Sequence, residues 1–297
     1  MLYKKYTFGD TAVRYLSTET GIGLSLLPES VSVPDCDALC ADSMVQVSLR
    51  GDHNLVDYTQ GVTMRNRSSV LLRILSQQAD ASGVVTRLSD GKGNDYVHTL
   101  AYDAPTGVFT VSVEYCNNTK KTQVLESLQS FSLSGIFNPS RESVTDAGLS
   151  LVRMVSAWSR ECRLKEDEFC DLGLDMSWAR YGVKCERFGE VGSMPNRGYF
   201  PFAALRDKEG GFVLAALLEA PYSWQMEVYK EKETCALSGG PADYEFGHWC
   251  KKIAPGQSFC TPKAYLRTRF GSVDDVCNDF VQFQDARLRV PASEEDM

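Results

Sequence analysis

Apolar and polar residues alternate with a period of two in many short stretches of the chain. The clearest example covers Val84 to Leu88, Tyr96 to Tyr102 and Val108 to Tyr115. The segments "SDGKGND" and "DAPTG" separate these stretches, and their Gly, Asp and Pro residues favour tight hairpin turns. This pattern predicts an antiparallel meander of three strands.

Further stretches show the same alternation. "MVQVSLRGD" alternates and then breaks at Gly51-Asp52, while "SSVLLRILSQQ" reads as a strand or, alternatively, as a short helix. "LSLVRMVSAWSREC" continues the pattern, and in "ALRDKEGGFVLAAL" charged residues and two glycines predict a turn between two apolar strands. Because no long helices separate these strands, the pattern predicts an all-β sandwich or barrel and argues against a βαβ fold.

A single amphipathic helix is predicted near the C-terminus, in "SVDDVCNDFVQFQDARLRVP". Ser272 is a suitable N-cap, acidic residues occupy the first turn, Arg287 and Arg289 lie near the end, and Pro291 stops the helix. The apolar residues at helical spacing are Val273, Val276, Phe280 and Phe283. The polar stub "ASEEDM" that follows is typical of a boundary between domains.

Composition and charge are those of an ordinary globular protein. The chain has 297 residues, of which 43% are apolar and 24% charged, which argues against disorder of the whole chain. Its formal net charge is −8 and no Lys/Arg run is longer than a pair, which argues against a nucleic-acid partner. No apolar run approaches the roughly 20 residues that span a bilayer, and no signal peptide is recognisable. We expect no membrane association and a cytoplasmic location.

Ten cysteines are present, but none belongs to a CxxC pair, and only Cys36 and Cys40 lie within five residues of each other. Zinc sites usually show such clusters. The remaining cysteines are Cys116, Cys162, Cys170, Cys185, Cys235, Cys250, Cys260 and Cys277. Several lie in apolar, strand-like contexts, where a free cysteine behaves as a small hydrophobe. We therefore predict reduced core thiols, with no metal site and no disulfide framework.

Motifs for nucleophilic catalysis or phosphate binding are not evident. His53, His98 and His248 lie far apart, and His98 alternates within a predicted strand as a surface or cross-strand residue. No GxSxG elbow occurs, although a Cys–His or Ser–His site stays an open alternative. "DGKGND" is rich in glycine, but no helix follows it, so it reads as a hairpin tip. We expect no cofactor.

Two features are compatible with carbohydrate chemistry. Glu161, Glu227 and Glu245 are candidates for a glycosidase-type acid pair, but each could equally form an ion pair with an arginine across a sheet. Aromatic residues crowd the second half of the chain, where they could stack on sugars or fill the space between two sheets. These aromatic residues are Trp158, Trp178, Trp224, Trp249, Tyr199, Phe200, Tyr222 and Tyr244.

Four segments in one order carry a family resemblance. They are "SAWSRECRL" (Ser156 to Leu164), "GSMPNRGYFPFAAL" (Gly192 to Leu205), "SWQMEVY" (Ser223 to Tyr229) and "LSGGPADYEFGHWCKKIAPGQSFCTP". Together they resemble the N-terminal domain of family-36 glycoside hydrolases, the α-galactosidases of melibiose and raffinose breakdown. The resemblance covers roughly the last half of the chain, and the earlier part matches loosely through "LRGD…DYTQGVTMRN" and "LESLQSFSLSGI".

The resemblance implies a large two-sheet antiparallel β-supersandwich over residues 1–271 and a helical linker over residues 272–297. A (β/α)8 barrel and a small C-terminal β domain follow in that family. Both catalytic carboxylates, a nucleophile Asp and an acid/base Asp, lie in the barrel and act by a retaining mechanism. This chain shows no barrel pattern, so no catalytic residue is carried over to it.

The resemblance also implies a homo-oligomer, often a tetramer, in which a loop of the sandwich reaches a neighbour's active site. The polar segment "RGDHNLVDYTQGVTMRNR" (Arg50 to Arg67) is the candidate for that loop, because a long polar loop on a rigid sheet can present donors and acceptors to a sugar. Its substrate-binding candidates are Asp52, Tyr58, Arg65, Asn66 and Arg67. The alternative is a solvated loop with Arg–Asp pairs.

The stretch "EFGHWCKKIAPGQSFCTP" predicts an antiparallel strand that leads into "GHW". A hairpin with its turn at "PGQSF" and a second strand ending at Thr261-Pro262 are predicted to follow. We predict that His248 and Trp249 pack at a sheet edge. With Trp158, they are the candidates for an interface.

Three functional hypotheses remain open. The first is the non-catalytic N-terminal domain of an α-galactosidase, which braces the barrel and the oligomer and helps to shape the galactose subsite. The second is a free-standing carbohydrate-binding β-sandwich module that binds galactose or raffinose itself. The third is a complete enzyme of another class that uses Glu161 or Glu227.

Overall fold

The computed structural model describes residues 2–18, 21–31, 41–53, 65–137, 148–174, 184–231 and 234–288. Its strands are β1 (Leu2–Phe8), β2 (Thr11–Thr18), β3 (Gly21–Pro28), β4 (Val47–Leu49), β5 (Arg73–Asp80), β6 (Gly83–Ser89), β7 (Asn94–Asp103), β8 (Val108–Asn117), β9 (Gln123–Leu128), β10 (Phe131–Ile136), β11 (Leu149–Val155), β12 (Arg163–Glu168), β13 (Lys184–Glu190), β14 (Tyr199–Asp207), β15 (Phe212–Leu218), β16 (Trp224–Glu231), β17 (Thr234–Pro241), β18 (Lys251–Ile253), β19 (Ser258–Cys260) and β20 (Ala264–Phe270). Its helices are α1 (Arg67–Val70), α2 (Tyr244–Gly247) and α3 (Val273–Asp285). Within the described ranges, no helix has the length and apolar character needed to cross a bilayer.

The strands form two packed layers. One layer is a sheet in the order β12-β11-β14-β15-β20-β8-β7-β6-β5, with β19 also paired to β8. The other layer holds three smaller sheets, β1-β2-β3, β10-β17-β16-β13 and β18-β9-β4, and the paired strands in both layers are antiparallel. The main core joins residues of the large sheet, such as Val111 and Leu214, to Leu26 and Met226 of the smaller sheets. The predicted two-sheet antiparallel β-sandwich is confirmed.

The middle of the large sheet is buried on both faces. Along β15, Phe212 and Leu214 point into the core between the layers, while Val213 and Ala215 belong to a second apolar cluster on the opposite face. Helix α3 covers that second face through Val273, Val276, Phe280 and Phe283. A strand with two buried faces must carry apolar residues at nearly every position, which explains the unbroken apolar run "FVLAALL".

Helix α3 begins as predicted. Ser272 is its N-cap, and its hydroxyl accepts from the Asp275 backbone N–H while the Asp275 carboxylate accepts from the Ser272 backbone N–H, a complete capping box. The helix ends at Asp285, with Ala286 as its C-cap. Its end therefore precedes Pro291, which lies outside the described residues.

The predicted meander is confirmed as β6, β7 and β8, which pair consecutively in the large sheet. The hairpin predicted around "RDKEGG" is also confirmed as β14 and β15. Two strand predictions are partly wrong. The stretch "SSVLLRILSQQ" contains the single helical turn α1 before β5, and the strand β11 ends at Val155, so that "SAWSREC" is a loop.

The chain near His248 differs from the predicted strand and hairpin. Asp243 caps the single turn α2 by accepting from the Phe246 N–H at 2.6 Å, so no strand enters "GHW". Strand β18 pairs with β9 and strand β19 pairs with β8, so the two arms belong to different layers. Asn117 fixes this corner, since its side-chain amide donates to Ile253 O at 2.9 Å and its backbone N–H donates to Gln257 O at 3.0 Å. The "PGQSF" turn is therefore a crossing between layers.

The prediction that the cysteines are core residues is confirmed for one described cysteine and is wrong for four. The eight described cysteines are free, and Cys235 alone among them is fully buried. Cys162, Cys170, Cys250 and Cys260 are exposed. Cys36 and Cys40 lie outside the described residues. Among the described residues, no cluster of His, Cys, Asp and Glu is arranged to hold a metal ion.

His98 is a core residue, so the predicted surface position is wrong, whereas the alternative of a cross-strand position is confirmed. It lies on the same face of β7 as Tyr96 and Leu100, opposite Thr86 of β6, and its side chain is fully buried. Neither ring nitrogen has a hydrogen-bond partner among the described residues. Burial lowers the pKa of His98 to about 4 from its ordinary value of 6.5, because the apolar surroundings disfavour the imidazolium.

A buried ion network ties α3 to the rest of the sandwich. Arg267 of β20 donates from Nε to the Asp279 carboxylate at 2.8 Å and from Nη1 to Asp10, in the β1–β2 turn, at 2.6 Å. Arg269 adds a second contact to Asp279 at 3.0 Å. The network therefore joins a sheet, a helix and a hairpin of the other layer around one guanidinium.

We expect His98→Leu to remove an acid-sensitive part of the stability. In the folded protein His98 stays neutral down to about pH 4, whereas in the unfolded chain it takes up a proton near pH 6.5, so the free energy of unfolding falls as the pH drops through this window. The loss attributable to His98 reaches about 3 kcal/mol below pH 4. Urea unfolding of both proteins from pH 7.5 to pH 4 measures it. Parallel curves for the variant and the natural chain would contradict the expectation.

We expect Asp279→Asn to destabilise the protein by about 3 kcal/mol, because it leaves the buried Arg267 without one of its carboxylates. Asp274→Asn is the matched control, since Asp274 lies on the same helix, is exposed and should cost a few tenths of a kcal/mol. Urea denaturation at neutral pH compares the two variants. Equal costs for both would show that the network adds nothing beyond the helix dipole.

Candidate functional site at the base of the polar segment

The two ends of the polar segment Arg50 to Arg67 meet on the protein. The Arg67 backbone N–H donates to His53 O at 3.1 Å, and the Asp52 carboxylate accepts from the Ser68 N–H at 2.9 Å. The chain therefore leaves and returns at one point, next to β4. Tyr58 and the rest of residues 54–64 lie outside the described residues.

The turn α1 anchors the returning end of the segment. The buried Ser69 hydroxyl accepts from the Val47 N–H at 2.8 Å and donates to Val47 O at 3.0 Å, which joins α1 to β4. Asn66 precedes the turn in an extended conformation and is buried, while Arg67 is exposed. We call the described residues around the two ends of the segment its base. Of the predicted substrate-binding residues, Asp52 and Asn66 thus contribute to this base, and the Arg67 side chain is exposed to solvent.

Arg65 forms the best-defined polar contact of this base. Its guanidinium pairs with the Asp42 carboxylate through Nε and through Nη2 at 3.3 Å, and the Asp42 side chain is 1% exposed. The Arg65 backbone N–H donates to the Gln46 side chain at 3.3 Å. Arg65 also has a φ of 61°, a left-handed conformation that an L-residue adopts only when its surroundings hold it there.

The Arg65 guanidinium connects this base to the four-stranded sheet. It lies 5.8 Å from the centre of the Tyr229 ring on β16. Tyr229 shares one face of β16 with Glu227 and Gln225, while the alternate residues Trp224, Met226 and Val228 fill the core. The two polar regions are therefore in contact.

The polar face of the four-stranded sheet, formed by residues of β13 and β16, is largely buried. Opposite β16, strand β13 places Cys185 against Tyr229 and Arg187 against Glu227. Glu227 is 1% exposed. Burial, followed by the nearby Glu227 carboxylate, raises the pKa of the Cys185 thiol well above its usual range, so this thiol is a poor nucleophile.

Arg187 and Gln225 hold the cap of α2. The Gln225 side chain exchanges hydrogen bonds with Asp243, at 3.1 Å to the carboxylate and 2.9 Å from the backbone N–H. Arg187 lies 3.6 Å from the Asp243 carboxylate and 3.5 Å from Glu245. The same carboxylate of Asp243 that caps the helix therefore also ties it to the sheet.

The three candidate acids lie in different surroundings. Glu161 is exposed in the β11–β12 loop, where it accepts from the Ser159 N–H at 2.9 Å. Glu227 is buried in the sheet face, and Glu245 is exposed on α2 beside Arg187. A glycosidase acid must reach a glycosidic oxygen, which a carboxylate as buried as Glu227 does not do. The expected ion pairing with arginine is thus observed for Glu245.

The aromatic interface candidates fall into two kinds. Trp158 is 90% exposed at the tip of the β11–β12 loop. Trp249 is half-buried, with its ring 5.7 Å from that of Phe259, and His248 is exposed beside Tyr244. Trp224 is a core residue whose indole N–H donates to Pro195 O. Trp158 therefore offers the open aromatic surface, and Trp224 fills the sandwich.

No protein-family model and no curated protein sequence matches the chain. Solved structures do match it. A family-36 α-galactosidase, AgaA from Geobacillus stearothermophilus, in a complex with stachyose, aligns over 97% of this chain with a TM-score of 0.68 and 14% identity. An α-galactosidase from Lactobacillus brevis aligns over 94% with a TM-score of 0.63 and 14% identity.

The matched part is less than half of each neighbour. The alignment covers 44% of the Geobacillus enzyme and 41% of the Lactobacillus enzyme. The galactosidase domain of the α-galactosidase–sucrose kinase AgaSK gives a TM-score of 0.68 at 12% identity, with 42% of its chain covered. The class of protein is thus a β-sandwich of the kind found in the N-terminal region of family-36 α-galactosidases. At these identities the comparison establishes the shared fold, and the resemblance seen in the sequence is confirmed at that level.

Asp42 and Gln46 are the members of this base that the sequence analysis missed. Both lie before β4, outside the segment that was singled out, and both are buried. A carboxylate and an amide in the stretch "ADSMVQV" carry no motif. The segment carries three arginines and two aspartates, and a surplus of one positive charge does not point to a buried acid elsewhere in the chain.

We expect the Asp42–Arg65 pair to show strong energetic coupling. Asp42→Asn, Arg65→Gln and the double variant form a double-mutant cycle, and a coupling of about 2 kcal/mol is expected because both side chains are largely shielded from water. The control cycle is Arg50 and Glu126, a solvent-exposed pair at 2.8 Å for which about 0.5 kcal/mol is expected. Urea unfolding supplies both values. Similar coupling in the two cycles would remove Arg65 as the anchor of the segment.

Proposed function

We propose that this chain is the non-catalytic N-terminal domain of an α-galactosidase that hydrolyses terminal α-galactosides such as melibiose and raffinose by a retaining mechanism. The observation that carries the proposal is the alignment of 93–97% of this chain with only 41–44% of several family-36 enzymes. Among those neighbours are complexes with stachyose and with raffinose. The remainder of the parent protein would hold the barrel and both catalytic carboxylates.

In this proposal residues 1–271 are the sandwich domain and residues 272–297 lead to the barrel. The support is physical: α3 is fixed on the sandwich by an apolar face and by Arg267, so it can hold a following domain in one orientation. The domain braces the barrel and a cytoplasmic homo-oligomer. Trp158, Trp249 and His248 are the proposed contacts, with the exposed Trp158 indole as the largest of them.

The polar segment is the proposed contribution to substrate binding. Its base is held by Asp42, Ser69 and the Arg67–His53 hydrogen bond, so the segment can present polar groups from a rigid platform. Asp52, Tyr58, Arg65, Asn66 and Arg67 are the proposed residues for shaping the galactose subsite. Arg65 would act by positioning, since its guanidinium is already paired with Asp42.

A free-standing carbohydrate-binding module is the second candidate. The observation in its favour is the 90% exposure of Trp158, because an open indole face is a common surface for stacking against a sugar ring. This function requires no second domain. It differs from the first in requiring measurable affinity of the isolated chain for a sugar.

We expect the purified chain to give neither turnover of an aryl α-galactoside nor heat on titration with galactose or raffinose. An α-galactosidase assay and titration calorimetry test these points. Saturable heat that disappears in Trp158→Ala but persists in the half-buried control Trp249→Ala would favour the binding module. Turnover that is lost in Glu161→Gln or Glu227→Gln would contradict the proposal and favour a complete enzyme.

A further inference from the structure

The exposed sheet edges of the molecule differ in their protection against pairing with another chain. An edge strand presents unpaired backbone donors and acceptors, and proteins usually shield such edges with charged side chains, short strands or bulges. Strands β4 and β18 have three residues each, β10 is buried throughout, and β3 is buried except at Ile22. The edge strand β13 is half-buried at most of its positions. The long, mostly exposed edges in the described part of the chain are β1, β12 and β5.

Two of these three edges carry charged residues in the middle of the strand. Strand β12 reads "RLKEDE", and its acids are paired with Arg206, Lys208 and Arg153 of neighbouring strands or turns. Strand β1 carries Lys4 and Lys5 at its centre. Strand β5, "RILSQQAD", has six uncharged residues between Arg73 and Asp80. It is the edge with the least electrostatic protection.

The faces of β5 are fixed by contacts within the sandwich. Gln77 points inward, because its side chain accepts from the Tyr6 hydroxyl at 3.1 Å and donates to the Thr86 hydroxyl at 2.9 Å. A bulge lies between Ile74 and Ser76, and Leu75 is the extra residue. The outward face of the strand therefore carries Arg73, Ser76, Gln78 and Asp80, all of them exposed.

This edge is complementary to itself. When a second copy of β5 lies antiparallel with the two Gln77 residues opposite each other, Ser76 faces Gln78 of the partner subunit. Because Leu75 is a bulge residue that adds one position to the strand, Arg73 then lies opposite Asp80 of the partner subunit. Two-fold symmetry places a second, identical ion pair at the other end of the two strands. Leu75, 66% exposed, lies beside Ala79 of the partner subunit.

We propose that two copies of this chain associate through antiparallel pairing of their β5 edges, which extends the large sheet across a two-fold axis. We assign a second copy as the occupant because the charges at the two ends of β5 are opposite in sign and match those of a second β5 strand that runs in the reverse direction. Arg73 is held at the start of the edge by donating from Nη1 to Val70 O and Leu72 O, both at 2.8 Å. Asp80 is held at the other end by the Ser82 N–H at 2.7 Å.

One strand pair buries less surface than a standard stable interface, so the dimer is expected to be concentration-dependent. The pairing adds a contact to the proposed homo-oligomer, separate from Trp158, Trp249 and His248, and it does not depend on the proposed α-galactosidase activity. The sugar titrations and enzyme assay bear on the proposed function, and the self-association of the chain bears on the β5 edge. Either result can fail without the other.

Sedimentation velocity over a range of concentrations tests the pairing by charge reversal. Arg73→Glu and Asp80→Lys each bring like charges together at both ends and should weaken association at least roughly tenfold. The double variant Arg73→Glu, Asp80→Lys restores both pairs in reversed polarity and should recover the dimer. Lys4→Glu on β1 is the control and should leave the dimer unchanged. Circular dichroism verifies that each variant folds.

A monomer at every concentration would overturn the proposal, as would a dimer that survives both single reversals. Loss of the dimer in Lys4→Glu would place the contact on β1 and overturn it as well. If a charge-reversal variant fails to fold, Ser76→Lys supplies a second test, since it places two lysines near the centre of the paired edge. Amide hydrogen exchange is the independent readout: protection of residues 74–79 should rise with concentration in the natural chain and stay constant in Ser76→Lys.

Discussion

The structure depends on the burial of both faces of the large sheet at its centre. Strand β15 and its neighbours carry apolar side chains on both sides, so each side must be covered. The smaller sheets cover one side and α3 covers the other. The helix therefore completes the burial of the large sheet, because its removal would expose Val213, Ala215 and the apolar residues around them to water.

Arginines link the elements that this packing brings together. Arg267 joins β20, α3 and the β1–β2 turn, and Arg153 joins β11 to β12 and β13 through Asp167 and Glu186, both at 2.6 Å. Arg65 joins the polar segment to Asp42. Burying such charges carries a desolvation cost that their attraction only partly offsets, so these pairs fix relative positions more than they add net stability. The arginine pairs thus connect the two layers of the sandwich and fix their relative position.

Much of the architecture could be predicted from local patterns. Period-two alternation identified β6, β7 and β8, and the spacing of Val273, Val276, Phe280 and Phe283 identified α3 and the face that it buries. The failures occurred where local pattern does not specify tertiary placement. Alternation shows that His98 shares a face with Tyr96 but not whether that face is the core, and a Pro-Gly turn is compatible with a hairpin or with a crossing between layers. For the candidate site, the segment and Arg65 were found, whereas Asp42 was not, because a buried partner distant in sequence leaves no local signal.

The distribution of carboxylates bears on what the sandwich can do chemically. Asp42, Asp167, Asp243 and Asp279 each lie against an arginine, and Glu227 is sealed in a sheet face opposite Arg187. A catalytic acid pair needs two carboxyl groups that face a common open space and reach the substrate. Here the buried acids instead connect structural elements, and the exposed Glu161 and Glu245 lie on separate elements. Within the described part of the chain, the base of the polar segment is therefore where we place the proposed contribution to binding.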